Sequence, residues 1–351
     1  MENNNMDFQQ FCEYIRDNIR HFLPENLSIK DISIQSCTKN NGNVLTGLQI
    51  SVPGSPLSPV LYLNSAYDSY RNGYSSLDTV MKNTSNLFIR ELPRLGPMDF
   101  SYFNDFDSVK DSIYCKLINY DSNKELLADV PQKKLEDLAV VYYYKLPQTD
   151  VFGNVGNASI TIHNSHMQTW GVSADVLHAT AKENIEREPV RFKSIMEYLS
   201  HLYGMEGMEM PDFNPEEGYI PMYIASNEDM VHGAAVVLND KWMAELNEKM
   251  DGSFLIFPSS IHEVIILKCD DTLNKAELEN YKAMVCEINS NEVSAEEVLS
   301  NNVYMYDAEN KQIVQAEKML ERQQDLTVDR PPIDAEQAIM QQPPRAAHRG
   351  R

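Results

Sequence analysis

The densest cluster of chemically able side chains is Pro258-Ser259-Ser260-Ile261-His262-Glu263. A hydroxyl, an imidazole and a carboxylate share one short stretch. Ser260 as nucleophile, His262 as base and Glu263 as orienter would make a hydrolase-type set. Immediate chain neighbours seldom face one another as a triad must, and Pro-Ser-Ser also suits a turn whose hydroxyls satisfy loose backbone groups. A second candidate is His163-Asn164-Ser165-His166. Two imidazoles three residues apart could share a metal if His163 and His166 lay on one helical turn. A strand end running into a loop would instead separate their rings. The third is a tyrosine group, Tyr62, Tyr67, Tyr70 and Tyr74, with Arg71. Aromatic residues beside an arginine suit a partner surface; at helical spacing they equally suit core packing.

Other sites are excluded by their absence. There is no phosphate-cradling G-x-x-x-x-G-K-S/T, no G-x-G-x-x-G, no H-E-x-x-H, no calcium-binding loop and no G-x-S-x-G. Gly153-Asn154-Val155-Gly156 reads as a hairpin turn. The five cysteines, Cys12, Cys37, Cys115, Cys269 and Cys286, form no C-x-x-C pair, which argues against a zinc site or a disulfide framework and fits a reducing cytoplasm. No cofactor is expected.

The elements that must position these residues follow from periodicity. Phe8, Phe11, Cys12, Ile15, Ile19 and Phe22 define a first helix stopped by Pro24. Strands at 28–35 and 44–50 flank Asn40-Asn41-Gly42, a tight-turn signal. A strand at 60–63 and a helix from Ser76 complete an α-β-β-β-α start. Residues 107–119 read either as a helix or, preferred, as a helical turn running into a strand, and 138–146 as a strand paired with 158–163. Ser173 caps a helix with Leu177, Ala181, Asn184 and Ile185 on one face. A helix is predicted at 192–202, a loop at 204–218, and strands at 220–226 and 233–238. Asp240 caps a helix burying Trp242, Met243, Leu246 and Met250. Residues 254–257 and 264–267 are continuous apolar runs, the mark of strands covered on both faces. Asn274 with Glu277 caps a long helix, Ser294 with Glu297 a short one, and a hairpin closes at 303–314.

The chain has 351 residues, 42% of them apolar and 23% charged, enough for a sizeable core. It lacks a spanning apolar run, and its first residues have neither a basic start nor an apolar stretch, which predicts no membrane span and no signal peptide. Thirty Lys and Arg oppose 52 Asp and Glu, a net charge of −22. Such a surface repels phosphate backbones and anionic lipid, so neither nucleic acid nor membrane is expected as a partner. The same charge suits plain solubility, or mimicry of nucleic acid toward a basic protein.

Several stretches in fixed order carry a family resemblance. They are Lys39-Asn40-Asn41-Gly42, Pro59-Val60-Leu61-Tyr62-Leu63-Asn64, His163-Asn164-Ser165-His166 with Trp170-Gly171-Val172, and Pro258 through Ile265. Met284 through Asn289 and Val298-Leu299-Ser300-Asn301 follow. Over about residues 8–307 the chain resembles a bacterial (Firmicutes) family, domain of unknown function 5688. The resemblance implies no ligand and no catalytic residue.

Together these readings predict an α+β protein: small, mostly antiparallel sheets covered by helices, with a disordered C-terminal tail. The expected divisions are an α-β-β-β-α module at 1–98, a larger α+β region at 99–314 and a polar, Pro-rich tail at 315–351. The function expected first is that of an acidic cytoplasmic interaction or regulatory protein with a protein partner. A hydrolase using Ser260 and His262 comes second, and an acidic nucleic-acid-mimicking inhibitor third.

Overall fold

The computed structural model describes residues 6–53, 58–91, 101–146, 159–202, 222–250, 253–258, 260–269 and 273–328. Helix α1 (Phe8–Asn18) starts at a capping box in which Asp7 accepts from the Gln10 N–H and Gln10 reaches back to Asp7. It buries Phe11, Cys12 and Ile15, and runs into a 3-10 turn that buries Ile19. Strands β1 (Asp31–Thr38) and β2 (Val44–Ser51) pair antiparallel across the predicted turn. There Asn41 has φ 60° and Gly42 φ 67°, the left-handed region that Asn and Gly tolerate. Strand β3 (Val60–Tyr62) adds to β2, and helices α2 (Asn64–Arg71) and α3 (Leu77–Glu91) follow. Phe11, Ile15, Ile19, Leu48, Ile50 and Phe88, all fully buried, centre the core of this layer.

The short helix α4 (Phe106–Val109) leads into β4 (Ile113–Asn119), as the sequence predicts. After α5 (Lys124–Leu127) comes β5 (Gln132–Leu135), whose polar Gln-Lys-Lys-Leu gives no apolar alternation to read. Strand β6 (Leu138–Lys145) is covered on both faces and takes β4, β5 and β7 (Ser159–Thr161) as antiparallel neighbours. Helices α6 (Asn164–Trp170) and α7 (Ala174–Arg187) follow. Ser173 caps α7, and its buried face is Leu177, Ala181, Asn184 and Ile185, the set the spacing predicts.

The helix predicted at 192–202 is corrected at its start. Strand β8 (Val190–Ser194) alternates half-buried Val190, Phe192 and Ser194 with exposed Arg191 and Lys193, and α8 (Ile195–Leu202) begins only afterwards. Strand β9 (Met222–Asn227) is as expected, but the strand predicted at 233–238 is a buried 3-10 segment, Gly233–Leu238. Its entry residue His232 has φ 56°, and Gly233 packs so closely that an added Cβ would lie 2.5 Å from the His262 carbonyl oxygen. Helix α9 (Asp240–Met250) is capped one residue earlier than expected, by Asn239, whose Oδ1 accepts the Trp242 N–H at 2.9 Å, and it precedes β10 (Phe254–Phe257) and β11 (Val264–Lys268). Helix α10 (Lys275–Asn291) has the Asn274/Glu277 capping box. The helix expected after Ser294 is a turn, because Val298 is drawn into an antiparallel bridge with Ser260. Strands β12 (Tyr304–Asp307) and β13 (Gln312–Gln315) form the predicted hairpin, and α11 (Ala316–Val328) follows.

The fold is therefore α+β, with three antiparallel sheets among the described residues: β1-β2-β3, the β4-β6-β5 sheet with β7, and a six-stranded sheet ordered β13-β12-β10-β11-β9-β8. The runs Phe254–Phe257 and Val264–Leu267 sit inside the last. Phe254, Ile256 and Ile266 face the core shared with β4, β6 and α7, whereas Leu255, Phe257 and Leu267 face α10 and α11. Of the stretch read as a tail, Gln315 ends β13. In α11, Met319 and Leu320 pack on the core, Lys318 pairs with Glu136, and Arg322 lies 3.2 Å from Asp307. The turn at 153–156, the loop at 204–218 and the residues after 328 lie outside the described residues. Among those described, no helix is long and apolar enough to cross a membrane.

Candidate functional site

The loop between β10 and β11 is held on both sides. The Ile261 N–H donates to the Glu297 carbonyl at 2.9 Å, and the Ser300 N–H donates to the Pro258 carbonyl at 3.0 Å. From β9, the Ser226 hydroxyl donates to the His262 carbonyl at 2.8 Å. Ser260, His262 and Glu263 thus come together, but in a different order from a triad. Ser260, buried at 5% exposure, accepts the backbone N–H of His262 at 3.0 Å, and its side chain bonds to the Glu263 carboxyl. The His262 ring turns elsewhere. Its Nδ1 accepts the His232 N–H at 3.3 Å, so the neutral ring carries its proton on Nε2, which lies 3.4 Å from Glu297 Oε1. Burial raises the Glu263 pKa above the ordinary carboxyl value, against the pull of His262 and Ser260. Ser259 lies outside the described residues.

Sequence reasoning did not find His232. It stacks on His262 with ring centroids 5.9 Å apart and an interplanar angle of 9°, and meets the Tyr143 ring edge-on at 5.1 Å. Its Nδ1 is buried without a hydrogen-bond partner. Burial first, then the charges of Lys116 and His262, lower its pKa to about 3. His232 also lines a cavity of about 20 Å³ with Tyr114, Tyr143, Glu188 and Asn227, room for roughly one water. Lys116 had a visible signal, a lone cation within the apolar strand Ile113-Tyr114-Cys115-Lys116-Leu117-Ile118. His232 had none, being thirty residues from the loop it joins.

A family model described as "Family of unknown function (DUF5688)" matches residues 8–308. The chain belongs to this family. No curated protein and no solved structure matches it. The DUF5688 match takes in all three sheets up to β12, and both the Ser260 loop and His232 lie inside it.

The other candidates also lie within the DUF5688 region. His163 Nδ1 meets Asp129 at 2.7 Å, and the His163 N–H donates to His166 Nδ1 at 3.0 Å. The two rings lie 5.6 Å apart at 84°. His166 packs edge-on to Phe103 at 5.2 Å, and burial, then His163, lowers its pKa. Among the described residues no three His, Cys, Asp or Glu side chains converge as metal ligands. Of the tyrosine group, Tyr70 stacks on Phe11 at 5.3 Å and Tyr67 packs on Phe8 and Phe11. Tyr62 is 39% exposed beneath the Lys39 ammonium, Tyr74 is 84% exposed, and Arg71 is exposed.

Proposed function

We propose that this DUF5688 protein is a cytoplasmic interaction or regulatory protein that works through a protein partner. The observation that carries this reading is the wiring of the 258–263 loop. Ser260 is engaged by the His262 backbone and by Glu263, while the His262 imidazole is engaged by His232 and faces Glu297. A serine nucleophile needs an imidazole nitrogen at its hydroxyl; here the polar groups hold the loop in shape. The net charge of −22 favours a partner whose contact surface is basic. A fluorophosphonate probe at neutral pH should leave Ser260 unlabelled. Labelling of Ser260 that disappears in a folded His262→Ala variant would replace this reading with a hydrolase. Affinity capture from the native host should retain one protein stoichiometrically and release it at high salt.

A further inference from the structure

Strand β1 runs eight residues along the edge of the first sheet, with β2 as its neighbour among the described residues. Its backbone groups alternate in direction. The Lys39 N–H donates to the Asn43 carbonyl at 2.6 Å, so Asp31, Ser33, Gln35 and Cys37, in step with Lys39, bond to β2. The next residue of the alternation on β2, Thr46, turns its carbonyl the other way, to the Leu63 N–H at 2.9 Å. The N–H and C=O groups of Ile32, Ile34, Ser36 and Thr38 therefore point away from the sheet, and among the described residues no backbone group takes them up. Gln35, Ser36 and Thr38 are exposed. An open row of donors and acceptors templates another strand, and proteins guard such edges with cationic side chains, proline, brevity or cover. The other edges among the described residues are guarded in these ways. Strand β8 exposes Arg191 and Lys193, and β5 exposes Lys133 and Lys134. Strands β3 and β7 have three residues each and β13 has four, while β4 is mostly buried. From Ile32 to Thr38, β1 has no charge, no proline and no bulge in its register with β2.

We propose that β1 is a self-docking edge, which pairs antiparallel with β1 of a second copy of the chain about a twofold axis at Gln35. Two three-stranded sheets would then join into one. Charge favours a second copy over a foreign strand. Residues 1–98 hold nine acids and eight bases, so the acidic surplus behind the net charge of −22 lies beyond them. Lys39 is the one charged residue from 32 to 67. Copies that approach through this layer meet the least repulsion. The strand ends are also self-complementary. A register centred on Gln35 sets the outward groups of Ile32 opposite those of Thr38, and of Ile34 opposite those of Ser36, giving about eight backbone hydrogen bonds. The same register sets Asp31 of each copy opposite Lys39 of the other, an attractive pair at both ends. Lys39 is still extended, with φ −98° and ψ −176°, so the pairing geometry reaches it. A slip of two residues loses both pairs, so charge fixes the alignment as well. No other protein is needed, and the inference does not rest on the interaction reading above.

The test is sedimentation equilibrium on the purified full chain, with no other protein present. One strand pairing is a small interface, so a dissociation constant on the order of 10 µM is expected. Ser36→Pro removes an outward N–H and leaves the bonds to β2 in place, so this variant should stay folded and be monomeric. Asp31→Lys makes both end pairs repulsive and should weaken association about tenfold. Adding Lys39→Asp to it should restore the affinity to within about threefold of wild type. If the proline variant does not fold, the charge swap decides. Hydrogen exchange reads the same contact by residue. The Ile34 and Ser36 amides should slow about tenfold from dilute to concentrated solution, while Gln35 and Cys37 keep their protection in both. A wild-type monomer up to about 100 µM, or a dimer indifferent to the charge swap, would overturn the proposal. So would slowing at Ile34 and Ser36 only in a complex with a different protein, which would give this edge to a foreign strand.

Discussion

At neutral pH the His232 imidazole is uncharged, since burial, Lys116 and His262 hold its pKa at about 3. The unfolded chain binds the proton at the ordinary value of 6.5. The stability this difference supplies is therefore complete above pH 6.5 and is lost as the pH falls toward 3. At pH 5 the loss should be about 2 kcal/mol. Asn accepts the positive φ of this position, so His232→Asn keeps the turn and removes the titration. Urea denaturation at pH 7 and pH 5 should show wild type losing about 2 kcal/mol more than the variant; equal losses would reject the assignment. Glu263 has the opposite sign. Its folded pKa is raised, so its contribution is present below its unfolded value and fades as the pH rises. Wild type and variant share that term, so their difference isolates His232.

At the scale of elements, one carboxylate joins two sheets. Asp137, at the entry of β6, accepts Asn302 Nδ2 at 3.0 Å, Gln315 Nε2 at 2.9 Å, the Ser300 hydroxyl at 2.7 Å and the Tyr304 hydroxyl. Burial raises its pKa, but these four donors outweigh burial and leave it below the usual value. Its contribution is thus full above the ordinary 3.8 and is lost as the pH drops below it. Asp137→Ala would leave the Tyr304 hydroxyl, on a fully buried side chain, without its carboxylate. The expected cost is about 3 kcal/mol in urea denaturation at pH 7. Asp137→Asn should cost less, because one oxygen still accepts. A loss below 1 kcal/mol for Ala would mean that the donors find other partners.

Across the whole molecule, the first layer keeps its own core, whose fully buried members run from Phe11 to Phe88. Among the described residues, the hydrogen bonds joining it to the rest come from the hairpin tip. Asn41 Nδ2 donates to the Ala295 and Val298 carbonyls at 2.9 and 2.7 Å, and Asn40 Nδ2 donates to the Glu296 carbonyl at 2.8 Å. Asn41 and Asn123 also bond to each other through N–H to Oδ1 at 2.8 Å and Nδ2 to Oδ1 at 3.0 Å. Asn41→Gly preserves the left-handed backbone and removes the side-chain bonds to the Ala295 and Val298 carbonyls and from Asn123. Hydrogen exchange should then quicken about tenfold at residues 295–298, while the β2 amides of Leu48 and Ile50 keep their protection. Unchanged exchange at 295–298 would show that the layers are held together by other contacts.

What the sequence alone determined is local. The α7 face, the Asn274/Glu277 capping box, the positive φ at Asn41-Gly42 and the two-sided burial of Phe254–Phe257 each depend on residues a few positions apart, where period and capping chemistry are legible. Cys12 belongs here too; its place on the apolar face of α1 anticipates its burial, which pushes its pKa up to about 11. The Gly233–Leu238 segment shows where local pattern stops. Its apolar run suits a strand, but the close approach of Gly233 to His262, on another element, selects a 3-10 turn. The candidate site has the same character. Ser260, His262 and Glu263 are adjacent in the chain, yet His232 and Glu297 determine which way the His262 ring is engaged, and Ser226 holds the His262 carbonyl. Those partners come from distant segments, so only tertiary packing brings them to the loop. A hydrogen bond's direction depends on where the partner atom stands, and spacing along the chain carries no record of that.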